Sequence, residues 1–195
     1  MGQLLTYRVD DEITLRLLDV HHALTLFRCI QVNRKHLRRW LLWVAETLCV
    51  EDCWKFILYT HKKAAKEEEF HFGIWYRGEL SGVIGAHSID WTTKSAEVGY
   101  WLSESLQGRG IVTRSVLHMI RFLFEEHDMN RVEIRCALSN LKSQAIPRRL
   151  GFQLVGMLRE AEKVEGQLEN LLIFELLRSE WKSIYQNVVV DTWNP

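Results

Sequence analysis

Ala96-Glu97-Val98-Gly99-Tyr100-Trp101-Leu102, followed after four residues by Gln107-Gly108-Arg109-Gly110-Ile111-Val112-Thr113, is the stretch that decides the fold. Ala96 to Leu102 reads as a strand with a glycine in mid-course, and a strand glycine marks a bulge or the close approach of another backbone or a ligand. The second segment is a glycine-containing loop feeding an amphipathic helix, Ile111 to His127, with Val116, Ile120, Leu123 and Phe124 on one side. Such a helix start aims unsatisfied N–H groups at one point, and the macrodipole adds about half a positive charge there. That is a site for phosphate. The loop has neither the Walker A spacing nor the dinucleotide glycine fingerprint. A bulge ahead of it leaves strand N–H and C=O groups without ladder partners. An extended ligand with amides along its length and a pyrophosphate at its end would pair with both.

Upstream, Ile13 to Leu17 alternates apolar and polar as a strand, and Asp19 is placed to cap a helix carrying Ala23, Leu24, Phe27 and Ile30. Arg34 to Leu48 and Cys53 to Ala65 read as further helices. Phe70 to Tyr76, Leu80 to Ile89 and Ala96 to Leu102 form a three-strand meander with a turn at Arg77-Gly78-Glu79. Downstream come a strand from Arg131 to Leu138 and a short helix from Asn140 to Leu150, closed by Gly151. Phe152 to Gly156 and Asn170 to Leu177 are the last strands, joined near Glu165-Gly166-Gln167. Strands and helices in this order predict an α+β domain, a mixed and mostly antiparallel sheet covered by helices, not a doubly wound parallel sheet.

The chain has 195 residues, 47% hydrophobic and 26% charged, which fits one globular domain. Lys plus Arg equals Asp plus Glu at 25 each, without the basic excess of a dedicated nucleic-acid or membrane-surface binder. The expected setting is cytoplasmic, with no membrane and no direct nucleic-acid partner. The four cysteines, Cys29, Cys49, Cys53 and Cys136, lack zinc spacing and read as free thiols. None of the eight histidines is spaced for a metal, although His71 and His87 fall on meander strands that would border a cleft. No metal is expected.

The motifs Ala96-Glu97-Val98-Gly99-Tyr100-Trp101-Leu102, Gln107-Gly108-Arg109-Gly110-Ile111, Asn140-x-x-Ser143 and Leu150-Gly151-Phe152 with Gly156 resemble the GNAT superfamily of acetyl-CoA-dependent N-acetyltransferases. More narrowly they are similar to its Rim-type branch, the ribosomal-protein-serine acetyltransferases. The resemblance runs from about Ile13 to Trp181. Val112 departs from the general pyrophosphate signature, where a small residue is usual.

The resemblance implies a GNAT fold, with a β-bulge in the central sheet, in one domain over residues 1–195. The acceptor side would be helices at about 19–66, the acetyl-CoA-binding core about 70–178, and the tail 179–195. It implies acetyl-CoA as cofactor, with the thioester carbonyl held near Val98 and Gly99 on the strand continuing through Tyr100 and Trp101. The pyrophosphate would lie on Gln107, Gly108, Arg109, Gly110, Ile111, Val112 and Thr113. Asn140 would bond the pantetheine arm. Ser143 would lie at the sulfur as general acid, although a helix N-cap is an equally simple role for it. Glu162 would be the general base, with Glu160 beside it able to exchange roles and Glu97 as the rival on the motif strand. A direct transfer of this kind needs no protein nucleophile, so Cys136 reads as a core thiol.

An α-amine has an ordinary pKa of about 7.7–8.0, so the acceptor is partly neutral already and the base has little to do. The branch implies as acceptor the N-terminal α-amine of Ser or Thr on a ribosomal protein. The alternatives are a small amine, such as a polyamine, amino acid or antibiotic, and a non-catalytic acyl-CoA-binding module. Trp40, Trp43, Trp54 and Phe56 either pack the N-terminal helices onto the sheet or form a groove for an extended peptide. A homodimer is expected, with the Trp181 to Pro195 tail (Val188, Val189, Val190 and Trp193) as one contributor.

Overall fold

The computed structural model describes residues 5–185. One sheet runs through them in the order β1-β2-β3-β4-β5-β6-β8-β7. Its strands are β1 (Thr6–Arg8), β2 (Ile13–Leu17), β3 (Phe70–Tyr76), β4 (Glu79–Asp90), β5 (Ser95–Leu102), β6 (Arg131–Ala137), β7 (Gln153–Val164) and β8 (Gln167–Leu177). The β5–β6 pair is parallel and every other pair antiparallel, as the mixed order of elements predicts. The parallel pair exists because the connection between its strands is a helix, α4 (Ile111–Arg121).

Helices cover both faces. Ile111, Val116 and Ile120 of α4 pack with Ile13, Phe72, Ile84, Val98, Ile134 and Phe174 in the larger core. Leu26 and Ile30 of α1 (Ala23–Val32) and Cys53 and Ile57 of α3 (Val50–Ala64) pack with Leu18, Trp75, Leu80 and Val83 on the opposite face. Period-two alternation along β5 therefore sends Val98 to the α4 side and Glu97, Gly99 and Trp101 to the α1–α3 side. Phe72, Phe124 and Phe174 are fully buried, and truncating any of them to Ala costs about 3–5 kcal/mol.

Several boundaries differ from expectation. Thr6–Arg8 adds an edge strand. Arg34 to Leu48 is not one helix. It is α2 (Arg34–Arg38) and a separate 3-10 turn, Leu42–Ala45, because Arg34 reaches across to the carbonyls of Val44 and Thr47 and folds the segment back. The third helix begins at Val50 rather than Cys53, with the Asp52 carboxylate accepting from the N–H groups of Leu48 and Cys49. The helix after Ile111 is α-helical to Arg121 and ends in a π-helical turn, Phe122–Glu126. The last hairpin is far longer than predicted, so Glu162 lies within β7 rather than after it.

The bulge is also displaced. Glu97 to Leu102 pairs in unbroken register with β4, Gly99 opposite Gly85, and the extra residue sits on β4 between His87 and Asp90, where Ser88 holds φ of 51°. Residues 186–195 lie outside the described residues, and so does the expected contribution of Val188, Val189, Val190 and Trp193 to a dimer. No helix among the described residues is long and apolar enough to cross a membrane.

Candidate active site

The β5–β6 ladder stops at Glu97 opposite Glu133, while β5 continues to Leu102 against β4 alone. Beyond Glu97 the two parallel strands part, and the β6-facing edge of Val98, Gly99, Tyr100 and Trp101 has no ladder partner. The sheet is thus open at the residues where the bulge was expected, although the bulge itself is one strand away. A slot lined by free backbone groups can pair with an extended chain of amides.

The loop after β5 ends at the start of α4. Gly108 and Gly110 hold φ of 77° and 71°, a left-handed conformation that side chains resist. Gly110 is the N-cap residue and supplies no side-chain cap. The first N–H groups of α4, from Ile111, Val112 and Thr113, are therefore open to an anion. Val112 is half-buried against the core, which explains why a large apolar residue is accepted there. Gln107 is held from two sides, its Nε2 2.9 Å from His36 Nε2 and its Oε1 accepting from Lys142 Nζ at 2.8 Å. Arg149 donates to Thr113 Oγ1 at 3.0 Å, which brings a guanidinium beside the helix start. Lys142 and Arg149 were missed by the sequence reading because they are distant in sequence from the loop they flank.

Under the slot lies the N-terminus of α5 (Leu141–Arg149). Its N-cap is Asn140, whose Oδ1 accepts from the Ser143 N–H at 3.1 Å; Ser143 is not the cap. The Ser143 hydroxyl stays available to other partners, with the Tyr100 hydroxyl and Cys136 Sγ each 3.3 Å away. Burial, together with the Cys136 sulfur nearby, pushes the Tyr100 phenol far above its ordinary value. Burial likewise pushes the Cys136 thiol up to about 11. Both groups are protonated at neutral pH; the single Tyr100 proton goes to the Ser143 carbonyl at 3.2 Å, which leaves the phenol oxygen to accept from the Ser143 hydroxyl. The phenol at this serine comes from β5, a placement the motif alone did not reveal.

The carboxylates separate clearly. Glu97 lies 3.3 Å from Arg135, which also binds Glu133; Glu133 in turn meets Arg131, and Arg131 meets Glu175. Glu97 is one rung of a charge ladder across β5, β6 and β8. Glu162 and Val164 face inward on β7, Glu162 half-buried and Val164 buried, while Glu160 faces out. A break in register between Leu158 and Glu162 produces that turn. The Glu162 carboxylate accepts from the Lys163 N–H and has no ion-pair partner among the described residues. At the hairpin tip Glu165 lies 3.7 Å from Arg39, tying β7–β8 to the N-terminal helices.

On the α1–α3 face, His71, Gly85 and Gly99 lie side by side across β3, β4 and β5. A Cβ at Gly85 would strike the His71 ring, and one at Gly99 would lie 3.1 Å from His87 Nε2. Burial lowers the His71 pKa, against the opposing pull of its 2.8 Å contact with Glu69. Next along the same face is a hollow of about 450 Å³ lined by Leu26, Ile30, Trp43, Phe56, Val83 and Trp101, with Glu46, Asp52 and Lys55 at its edge. Trp43 and Phe56 thus do border a groove. The Trp101 side chain faces this hollow, leaving only its backbone on the open edge.

The slot, the uncapped helix start and the serine beneath them are what an acyl-CoA requires. The family description Acetyltransferase (GNAT) domain matches residues 12–153. The chain belongs to the GNAT acetyltransferase family. It is 34% identical over 179 residues to YdaF of Bacillus subtilis (strain 168), provisionally named a ribosomal N-acetyltransferase, covering 91% of this chain and 97% of that one. It is 28% identical over 172 residues to the ribosomal-protein-serine acetyltransferase of Escherichia coli (strain K12), covering 87% and 94%. Among solved structures, the microcin C7 self-immunity acetyltransferase MccE in complex with acetyl-CoA and AMP matches with a TM-score of 0.83 and 31% identity, over 87% of this chain and 94% of that one. This GNAT acetyltransferase is an N-acetyltransferase that uses acetyl-CoA, and the expected fold and family branch agree with these relatives.

Proposed function

We propose that this acetyltransferase acetylates the N-terminal α-amine of a protein, Ser or Thr in first position, on a ribosomal protein. The observation that carries the reading is the parting of β5 from β6 directly above Ser143, in a chain similar to a named ribosomal-protein-serine acetyltransferase. In this reading the open edge from Val98 to Trp101 holds the thioester carbonyl and pantetheine amides. Gln107 to Thr113, flanked by Arg149, holds the pyrophosphate. Asn140 fixes the start of α5 and with it Ser143. The acceptor amine attacks the thioester carbonyl, the developing oxyanion is met by strand N–H groups, and Ser143 gives its proton to the departing thiolate. Glu162, without an ion-pair partner, takes the proton from the amine; Glu97, bound to Arg135, is the weaker base.

The same reading treats the chain as one domain in the cytoplasm, working as a homodimer. Leu154, Val155, Met157 and Leu158, exposed on the edge strand β7, support a paired surface. Light scattering of the purified protein tests the dimer.

A second reading, a small-molecule amine as acceptor, is favoured by the likeness to MccE with AMP bound. A thiol-release assay separates the two. Turnover of a Ser-starting peptide but not of free amines supports the first, and turnover only of small amines overturns it.

A further inference from the structure

The hollow on the α1–α3 face is not part of the acetyl-CoA slot, and its place on the sheet relates it to the reacting centre. Val83 and Trp101 form its floor and are direct cross-strand partners. The next pair on the same face is Gly85 and Gly99, bare of side chains. Two residues along a strand span about 7 Å, and the strip between the hollow and the strand edge at Gly99 is covered by imidazoles, His71 lying over Gly85 and His87 over Gly99. Phe56 joins the two regions from above, lining the hollow and stacking edge-on against His71 at 5.8 Å.

The chemistry of the hollow is apolar. Leu26, Ile30, Cys53 and Val83 are buried in its wall, and the indoles of Trp43 and Trp101 lie 6.3 Å apart at its mouth. Its charged groups are at the rim, where Asp52 already accepts from Leu48 N–H and Cys49 N–H and lies 3.8 Å from Lys55. A charged side chain inside would lose water and find charged partners only at the rim. A bulky apolar one would bury its surface and displace water from the indoles.

We infer that this hollow is a specificity pocket for the acceptor, taking a large apolar side chain, aromatic or long aliphatic, of the residue that follows the acetylated N-terminal residue. The inference rests on the peptide-acceptor reading above. An extended peptide with its amine at Gly99 and its backbone over the His71 and His87 rings projects its second side chain toward the hollow, one strand step of about 7 Å away.

The test is kcat/KM for a set of otherwise identical peptides beginning Ser-Phe, Ser-Leu, Ser-Ala, Ser-Asp and Ser-Lys, measured by thiol release. The expected result is a preference of about 10- to 100-fold for Ser-Phe or Ser-Leu over Ser-Asp. Two substitutions then act on the pocket. Trp43→Ala removes a half-exposed wall, and Thr47→Trp fills the mouth. Both should flatten the preference to within about threefold, with acetyl-CoA affinity as the check that the fold is intact. Equal kcat/KM across the peptides, or a preference that survives both substitutions, overturns the pocket alone. Rejection of every peptide with turnover of small amines overturns the peptide reading and the pocket with it.

Discussion

The Tyr100 hydroxyl donates to the backbone carbonyl of Ser143 at 3.2 Å, the carbonyl that Pro147 leaves without a helical partner. Proline has no N–H, and its ring crowds the carbonyl four residues back. A defect in α5 is therefore repaired from β5, and the repair brings a buried phenol to the Ser143 side chain. Tyr100→Phe should cost about 1–3 kcal/mol in urea unfolding, because a buried acceptor is left unsatisfied. In a Pro147→Ala background the helix regains its own donor, so the same substitution should cost measurably less. Equal costs in the two backgrounds would deny the coupling.

Ser143→Ala should lower kcat at least tenfold and leave KM for acetyl-CoA within about twofold, the pattern for a group used only as the thiolate departs. Glu162→Gln should lower kcat by about 10- to 100-fold without abolishing transfer, since an α-amine is partly neutral near pH 7. Glu97→Gln should change kcat by less than about threefold. Steady-state kinetics of the three variants decide the roles, and a larger loss for Glu97→Gln than for Glu162→Gln would reverse the assignment.

At the start of α4, Gly110→Ala forces a side chain into the left-handed region and should destabilise the protein by about 1–2 kcal/mol. It should also weaken coenzyme A, whose anion faces the loop in this account. Arg149→Ala leaves the backbone alone and should raise the Kd for coenzyme A several-fold at low salt, with the difference shrinking as salt screens the charge. Titration calorimetry at two ionic strengths checks both. An Arg149→Ala effect independent of salt would remove the guanidinium from the phosphate site.

Burial lowers the pKa of His22, His36, His71, His118 and His127 below the ordinary histidine value. The unfolded chain then binds protons more readily than the folded one as pH falls through about 6.5. Their contribution to stability is complete above that pH and is lost on the acid side. The urea midpoint should be level from pH 7 to 8 and fall between pH 6.5 and 5. A midpoint that rises over that interval would contradict the burial of these rings.

Much of this was legible in the residues, and what was not has physical causes. The meander showed itself because Phe70, Phe72, Ile74 and Tyr76 are buried on one face, which makes the period of two visible. The length of β7 did not, because from Gln153 to Ala161 this edge strand is exposed on both faces apart from Gly156, and such a stretch carries no alternation; Glu162 and Val164 turn inward only at its end. Arg34 to Leu48 has the composition of a helix, but the bend is made by one guanidinium binding carbonyls ten and more residues ahead. The turn ahead of α4 was readable from Gly108 and Gly110, since positive φ selects glycine. The Tyr100–Ser143 contact joins residues 43 positions apart and leaves no local pattern. Asn140 took the cap because its side chain can accept the Ser143 N–H at the first turn, which frees the serine.

Amide hydrogen exchange of the protein with and without saturating coenzyme A tests the central claim most directly. The account predicts added protection in Val98 to Trp101, in Gly108 to Thr113 and at Asn140 to Ser143, with little change in the β7–β8 hairpin. Protection confined to other segments, with the β5 edge and the start of α4 exchanging as freely as before, would contradict it.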